Sequence, residues 1–208
     1  MRHRTPLASL LAILAIVFAA PSALAADLYK VDPVHTSVVF SVAHTGISYV
    51  YGMFRKASGV YQLDKANPAN NQFQFVIQTD SVDTNNQERD DHLRSPDFFN
   101  AAQYPEITFQ STKCSMPTST DNSVTFLVTG DLTIHGQKRS IPVTLRMLGE
   151  GLGARKDQRT GFLCNFEIKR SDFGMNQWLK DNLVGDAIGI TVSFEGVLQQ
   201  PPGTAPRQ

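Results

Sequence analysis

Apolar and polar residues alternate with a period of two along most of this chain. Val38, Phe40 and Val42 interleave with Val39, Ser41 and Ala43, and Val50, Gly52 and Phe54 follow, then residues 60–63. Phe73, Phe75 and Ile77 face away from Gln72, Gln74 and Gln78, and Ile107 and Phe109 from Thr108 and Gln110. The pattern runs on through Phe126, Val128, Leu132 and Ile134 across Gly130, and through Ile141, Val143, Leu145 and Met147. It continues with Phe162, Cys164, Phe166 and Ile168, and closes with Ile188, Ile190, Val192 and Phe194. A period of two puts all members of a set on one face of a strand, so the chain reads as about eight half-apolar β-strands. Turn-rich stretches separate them at 67–71, 118–123, 135–137, 149–160 and 182–186, with His135-Gly136 set up as a tight hairpin turn. Two stretches break the alternation. Residues 84–94 are polar and read as a short helix starting near Asp83 or Thr84, and residues 174–181 are irregular.

Antiparallel strands with one apolar face must pack on a second sheet or curl around that face. Closing about eight of them gives a barrel just wide enough to be filled by side chains or to hold one small ligand. The barrel is the favoured architecture: all-β and antiparallel, with the short helix capping one end. A two-sheet sandwich without a cavity is the alternative. There is no internal repeat and no second domain, which places one barrel at 26–198 and a disordered proline-bearing tail at 199–208.

The first 25 residues stand apart. Arg2, His3 and Arg4 precede an apolar run at 7–20, and Ala23-Leu24-Ala25 supplies a small-residue cleavage site. This is the layout of a secretory signal, cleaved after Ala25, and the product is expected outside the cytoplasm, in the periplasm of a Gram-negative host. Two prolines bracket the run, and no later run is long enough to span a bilayer, so no integral membrane protein is expected after cleavage. The chain carries 19 basic and 19 acidic residues. That balance argues against a nucleic-acid partner, which calls for a basic patch, and gives no electrostatic reason to sit on an anionic membrane. Export makes a bond between Cys114 and Cys164 plausible. Their phases oppose it: Cys164 aligns with Phe162 and Phe166, whereas Cys114 aligns with Thr108, Gln110 and Thr112. Only a bulge would bring both to one face.

Residues 89–99 hold the densest set of chemically competent side chains, Arg89, Asp90, Asp91, His92 and Arg94, followed by Phe98 and Phe99. The expected role is structural: a salt-bridged helix, with Asp90 and Arg94 at i, i+4, locking a loop on the rim through the two phenylalanines. The histidines after residue 25 are His35, His44, His92 and His135, and no pair has metal-ligand spacing, so neither a metal nor a cofactor is expected. No nucleophile elbow is present, and Gly149-Glu150-Gly151-Leu152-Gly153 lacks the strand–helix context of a dinucleotide site. Asp-Phe-Gly at 172–174 stands without the other parts of a kinase and reads as a turn after a strand.

Several stretches together carry a resemblance. They are Val31-Asp32-Pro33-Val34-His35-Thr36-Ser37-Val38-Val39-Phe40-Ser41-Val42-Ala43-His44, Gly52-Met53-Phe54, Ser81-Val82-Asp83-Thr84-Asn85 and Arg89-Asp90-Asp91-His92-Leu93-Arg94-Ser95-Pro96-Asp97-Phe98-Phe99. Tyr104-Pro105-Glu106-Ile107-Thr108-Phe109, Gly130-Asp131-Leu132-Thr133-Ile134-His135-Gly136 and Arg170-Ser171-Asp172-Phe173-Gly174 follow in order. In these the chain resembles the YceI family, the lipid-binding group also described as polyisoprenoid-binding and lipocalin-like. The resemblance implies an eight-stranded lipocalin-like barrel whose lumen holds a long apolar chain, such as a polyisoprenoid, an isoprenoid quinone or a fatty amide. It also implies a periplasmic location and often a homodimer, and carries over no catalytic residue. The two cysteines and the segment 175–181, which holds Trp178, depart from the family pattern and bear on the mouth of the lumen.

The expected function is therefore the binding of an isoprenoid-type lipid or quinone, with no covalent chemistry. The expected lining is Phe40, Val42, Phe54, Phe75, Ile77, Phe109, Phe126, Val128, Leu145, Phe166, Ile190 and Val192, with His44 or Arg94 near a polar head. Two alternatives stand beside it. One is a filled barrel that acts through its surface as a stress or adhesion partner. The other is an enzyme on an apolar substrate, using His44, His92 or Asp91 as acid or base.

Overall fold

The computed structural model describes residues 26–120, 123–181 and 183–199. The expected signal lies outside them, as does the proposed tail except for Gln199, whose amide N–H donates to the Leu28 carbonyl. Among the described residues twelve strands and one α-helix follow in chain order. They are β1 (Asp27–Val31), β2 (Ser37–His44), β3 (Ser48–Phe54), β4 (Ala57–Leu63), β5 (Gln72–Gln78), β6 (Val82–Asp83), α1 (Gln87–Arg94), β7 (Glu106–Cys114), β8 (Thr118–Thr120), β9 (Ser123–Ile134), β10 (Gln137–Leu152), β11 (Gln158–Lys169) and β12 (Val184–Leu198).

All pairings are antiparallel, and the sheet closes through the ring β1-β4-β5-β7-β9-β10-β11-β12 and back to β1, which makes an eight-stranded barrel. The remaining strands are continuations of ring strands. β2 prolongs β1 along the edge of β12, β3 prolongs β4, β6 extends β5 onto β3, and β8 extends β7 along β9. Each long strand thus pairs with its neighbours in sequence, an up-and-down meander. His135 and Gly136 make the two-residue β9–β10 turn with φ of 50° and 72°. Positive φ at both positions is what a turn matching the strand twist requires. The turn expected over 149–160 is shorter than the sequence suggested, because β10 and β11 stay paired out to Leu152 and Gln158 despite the glycines.

The interior divides into two apolar clusters. Around Tyr29, Tyr61, Phe73, Phe162 and Phe194 one end of the barrel is filled solid, with Tyr29 and Tyr61 stacked at 5.1 Å and Phe162 and Phe194 at 5.3 Å. The Tyr61 hydroxyl meets Thr160 Oγ1 at 2.5 Å, so this ring keeps a polar partner inside the plug. Burial holds the Tyr29 phenol up at about 12, so it stays neutral. The second cluster, around Val38, Phe54, Ile107, Leu132, Ile134, Ile168, Phe173 and Met175, lies toward the other end under the helix and the 170–175 segment.

Several inward aromatic rings lie flat across strand glycines. Phe40 covers Gly52 directly opposite it, Phe109 covers Gly130, and the Tyr61 ring covers Gly196. Curved sheets use this device, because a strand residue without a side chain lets the neighbouring ring sit against the backbone.

The barrel closes along a seam where β12 leaves β2 and takes up β1. There a short 3-10 turn, Pro33–His35, interrupts pairing, and the Asp32 N–H donates to the Glu195 carbonyl. Arg159 fastens this gap. Its Nη1 donates to Asp32 Oδ2 at 2.7 Å and Glu195 Oε2 at 2.9 Å, and its Nη2 lies 2.8 Å from Asp157 Oδ2. His35 Nδ1 adds a 2.8 Å contact to Asp32. The His35 imidazole, the Arg159 guanidinium and the Val34 N–H together hold the Asp32 carboxyl far below the usual carboxylate range.

Two predictions follow from this packing. A methyl group at Gly196 runs into the buried Tyr61 ring, so Gly196→Ala should lower unfolding free energy by about 1–3 kcal/mol, measured by urea titration. Asp32→Asn should cost about 1–2 kcal/mol at pH 7. Because the folded-state pKa of Asp32 is depressed, this stabilisation is present in full above about pH 4, the unfolded value. It shrinks as pH falls from there toward the folded value, so the gap between wild type and variant should close in acid.

Candidate ligand site

Above the aromatic plug the barrel is hollow. The cavity is about 170 Å³ and is lined by inward positions of most ring strands: Val38, Phe40 and Val42 of β2; Phe75 and Ile77 of β5; Ile107 and Phe109 of β7; Leu132 and Ile134 of β9; Val143 and Leu145 of β10; Cys164, Phe166 and Ile168 of β11; and Val184, Ile188, Ile190, Val192 and Phe194 of β12. Phe54 of β3 completes the wall. From Cys164 to Arg170 the wall follows one strand for roughly 20 Å at about 3.3 Å per residue, so the space is long and narrow.

The mouth is capped. α1 begins at Gln87, capped by Asn86, whose side chain accepts the Arg89 N–H. This is later than the sequence pattern suggested, since Asn85 has φ of +60° and Thr84 is buried. Asp90 does not pair with Arg94. It is buried and accepts from the Thr84 N–H and hydroxyl at 2.8 and 2.5 Å, which ties the helix start to the end of β6. Arg94 instead pairs with Asp91 at 2.7 Å and donates to the Asp80 and Val82 carbonyls. Leu93, Phe98 and Phe99 hang from this unit into the cavity, and Met175 enters from the segment after β11. Trp178 packs outside Phe98, ring centres 5.8 Å apart, with His92 5.1 Å from both. The departing segment 175–181 is thus part of the lid.

Of the residues expected to line the lumen, Phe40, Val42, Phe54, Phe75, Ile77, Phe109, Leu145, Phe166, Ile190 and Val192 stand on the cavity wall. Phe126 and Val128 point inward but belong to the packed plug, because their part of β9 lies level with the aromatic cluster. His44 is exposed at the end of β2, opposite Ser48 beside the hairpin turn, where strand phase no longer implies an interior. Arg94 is spent on the rim. His92 contacts Asp97 at 2.9 Å, and Asp91 accepts from Gln87 and Arg94. His44, His92 and Asp91 therefore converge on no common space. Asp32, His35 and Glu195 bring their polar atoms together, but Arg159 already donates to both carboxylates there, and a cation would have to displace it.

Arg170 was not among the expected residues. It is buried, 3% exposed, and among the described residues is the one charged residue on the cavity wall. A signal was available: Phe162, Cys164, Phe166 and Ile168 point inward, and the same phase carries to Arg170.

The cysteines also correct an expectation. The register of β7 against β9 slips between Ser111 and Lys113, a bulge that turns Cys114 inward. Both thiols are buried in the same cluster and both are free. β9 and β10 separate their strands, so three interstrand spacings, roughly 14 Å along the sheet, lie between them, against the 7 Å limit for a bridge. Burial pushes the Cys164 thiol up to about 12, and raises Cys114 as well.

The structure defines the class as a closed up-and-down barrel with an apolar, capped cavity, and comparison with known proteins gives the family. A profile described as the YceI-like domain matches residues 29–196. The chain belongs to the YceI-like family. It is 38% identical over 187 residues to Protein YceI of Escherichia coli O17:K52:H18, covering 89% of this chain and 94% of that one. Among solved structures, BcnA of Burkholderia cenocepacia superposes with a TM-score of 0.70 at 26% identity, over 79% of this chain and 98% of the other. A polyisoprenoid binding domain from Saccharophagus degradans gives a TM-score of 0.65 over 82% of this chain and 98% of that one; at 17% identity it shows the fold alone.

For the cysteines the expectation is direct. In the folded protein at pH 8 Cys164 should react with a disulfide reagent about a thousandfold more slowly than free cysteine, and Cys114 more slowly as well, since the thiolate is the reacting form. Intact mass under non-reducing conditions should show two thiols, and unfolding should release both.

Proposed function

We propose that the protein binds a long isoprenoid-type lipid, a polyprenyl chain or an isoprenoid quinone, in the barrel lumen, without covalent chemistry. It works as a periplasmic carrier, store or protective binder. The observation that carries this reading is the wall itself: a long, capped space in which every lining residue but Arg170 is apolar. Such a wall recognises length and shape of hydrocarbon, each buried CH₂ contributing about 0.8 kcal/mol, and needs few polar contacts. The polyisoprenoid binding domain of Saccharophagus degradans shares this fold, so a barrel of this form is able to enclose such a chain.

The size of the cavity adds a condition. At about 170 Å³ it compares with an engineered cavity of roughly 150 Å³ that takes up one benzene. A chain of isoprenoid length enters only if cap side chains such as Leu93, Phe98 and Met175 swing outward. Trp178, the only tryptophan, rests on Phe98 and reports that movement. Titration with geranylgeraniol should change Trp178 emission saturably at one ligand per chain. An unchanged signal, with no ligand retained after gel filtration, would favour a filled barrel acting through its surface.

A further inference from the structure

The hairpin of β2 and β3 runs on past Val42, the last wall residue of β2, and turns at residues 45–47 beyond the mouth of the lumen. The turn is pinned. His44 faces Ser48, the Ile47 N–H donates to the His44 carbonyl at 3.0 Å, and the Thr45 N–H donates to the Leu183 carbonyl at 2.9 Å. Ile47 stands at the tip and is 87% exposed. Gly52 and Phe54 lie opposite the wall residues Phe40 and Val38, which puts Tyr51 and Tyr49 on the outer face of β3. Both tyrosines are 65% exposed and follow behind Ile47 in two-residue steps, roughly 7 Å each. Leu183, also exposed, sits against the tip through its carbonyl, and Trp178 is exposed on the lid segment at the same end.

This end of the hairpin carries no fixed charge. Residues 33–54 contain no Asp, Glu, Lys or Arg, in a chain that is 18% charged. Lys180 and Asp181 before Leu183 are of opposite sign, and Asp186 after it accepts from the Ser171 N–H and hydroxyl. The plug end differs: Leu152 is exposed on the β10–β11 hairpin, but it stands among Glu150, Arg155, Lys156 and Asp157. An uncharged wedge with isoleucine at its point and tyrosines one and two steps behind matches the depth profile of a bilayer interface. Apolar side chains there reach about 5–10 Å into the boundary between headgroups and acyl chains, and Tyr and Trp settle at headgroup level. A protein partner fits less well, because a stable interface buries roughly 800 Å² on each side and this is the narrow tip of one hairpin.

We infer that the β2–β3 tip, with Leu183 and Trp178 beside it, is a docking surface for a phospholipid bilayer, held by apolar insertion and not by charge. In that pose the lid, α1 with Phe98 and Met175, lies at the membrane-facing end. The inference concerns the outer surface and goes beyond the lumen reading, which it neither requires nor alters.

The test is co-sedimentation at pH 8 with vesicles of phosphatidylcholine and with vesicles of phosphatidylethanolamine and phosphatidylglycerol. It uses residues 26–208, which hold the closed barrel but lack the apolar run at 7–20, itself able to bind lipid. Partitioning should agree within about twofold between the two compositions, and between about 50 and 500 mM NaCl, where charge-driven binding is screened away. Ile47→Ser with Tyr49→Ser should lower it at least about fivefold by removing apolar area from the interface. Ile47→Ser alone should lower it about twofold, which keeps the claim testable if the pair fails to fold. Leu152→Ser, an exposed apolar residue at the other end, should leave it unchanged. No sedimentation with either vesicle overturns the docking surface. So does binding confined to the phosphatidylglycerol vesicles or lost at high salt, and so does a loss in Leu152→Ser that the tip variants do not show. A tip variant that splits a dimer in lipid-free gel filtration, with no change in vesicle binding, overturns it in favour of a second copy of the chain. Whether the lumen holds a lipid is read separately by ligand titration, so either result there leaves this one standing.

Discussion

The seam along β12 is the constraint on which the rest of this structure depends. β12 pairs with β11 from Ala187 to Val197 on one edge. On the other edge it must serve two partners, β2 for residues near its start and β1 near its end. Until both are in place the sheet has free edges and its apolar faces have nothing to enclose. Pairing is interrupted between Ser37 and Val31, where the 3-10 turn lies. The interruption is bridged by the Asp32–Glu195 backbone bond and by Arg159, which reaches both acids from the neighbouring strand. Closure then determines side-chain destinations: every second residue of eight strands points into one narrow space.

That space is used in two ways. At one end aromatic rings fill it, with Tyr61 and Phe162 edge to face at 5.6 Å and Phe73 and Phe162 at 5.8 Å. This plug supplies the rigid core that a hollow barrel would lack. At the other end apolar side chains line the wall around the cavity, and closure comes from α1, Phe98, Phe99 and Met175. The cap is held by specific polar ties, Thr84 to Asp90 on one side and Arg170 to three carbonyls on the other. The packed core and the cavity therefore occupy opposite ends of the same strands.

Much of this was legible in the sequence, and the exceptions have physical causes. The alternation located the strands and most of the wall, because a closed barrel leaves an inward residue no other place to go. It did not tell plug from cavity: Phe126 and Val128 share the phase of wall residues but lie level with the aromatic cluster, a matter of stagger between strands. A bulge in β7 is invisible to a strict period of two, so Cys114 was assigned to the wrong face. Asp90 looked like a partner for Arg94 by helical spacing, whereas the preceding Thr84 offered two donors that the helix alone did not reveal. At Arg170 a charge at the end of an apolar series reads as the series ending, although its phase continues inward. Family membership, by contrast, was carried by several separated motifs in order, and it was confirmed by the match over residues 29–196.

The claim that the lumen exists to hold a lipid chain is tested most directly on the protein as cells make it. Native mass spectrometry of protein purified from its host, followed by organic extraction, should show one ligand per chain and release a long isoprenoid-type lipid. A protein that carries only its own mass, and keeps that mass after incubation with prenyl lipids and quinones, would contradict the account.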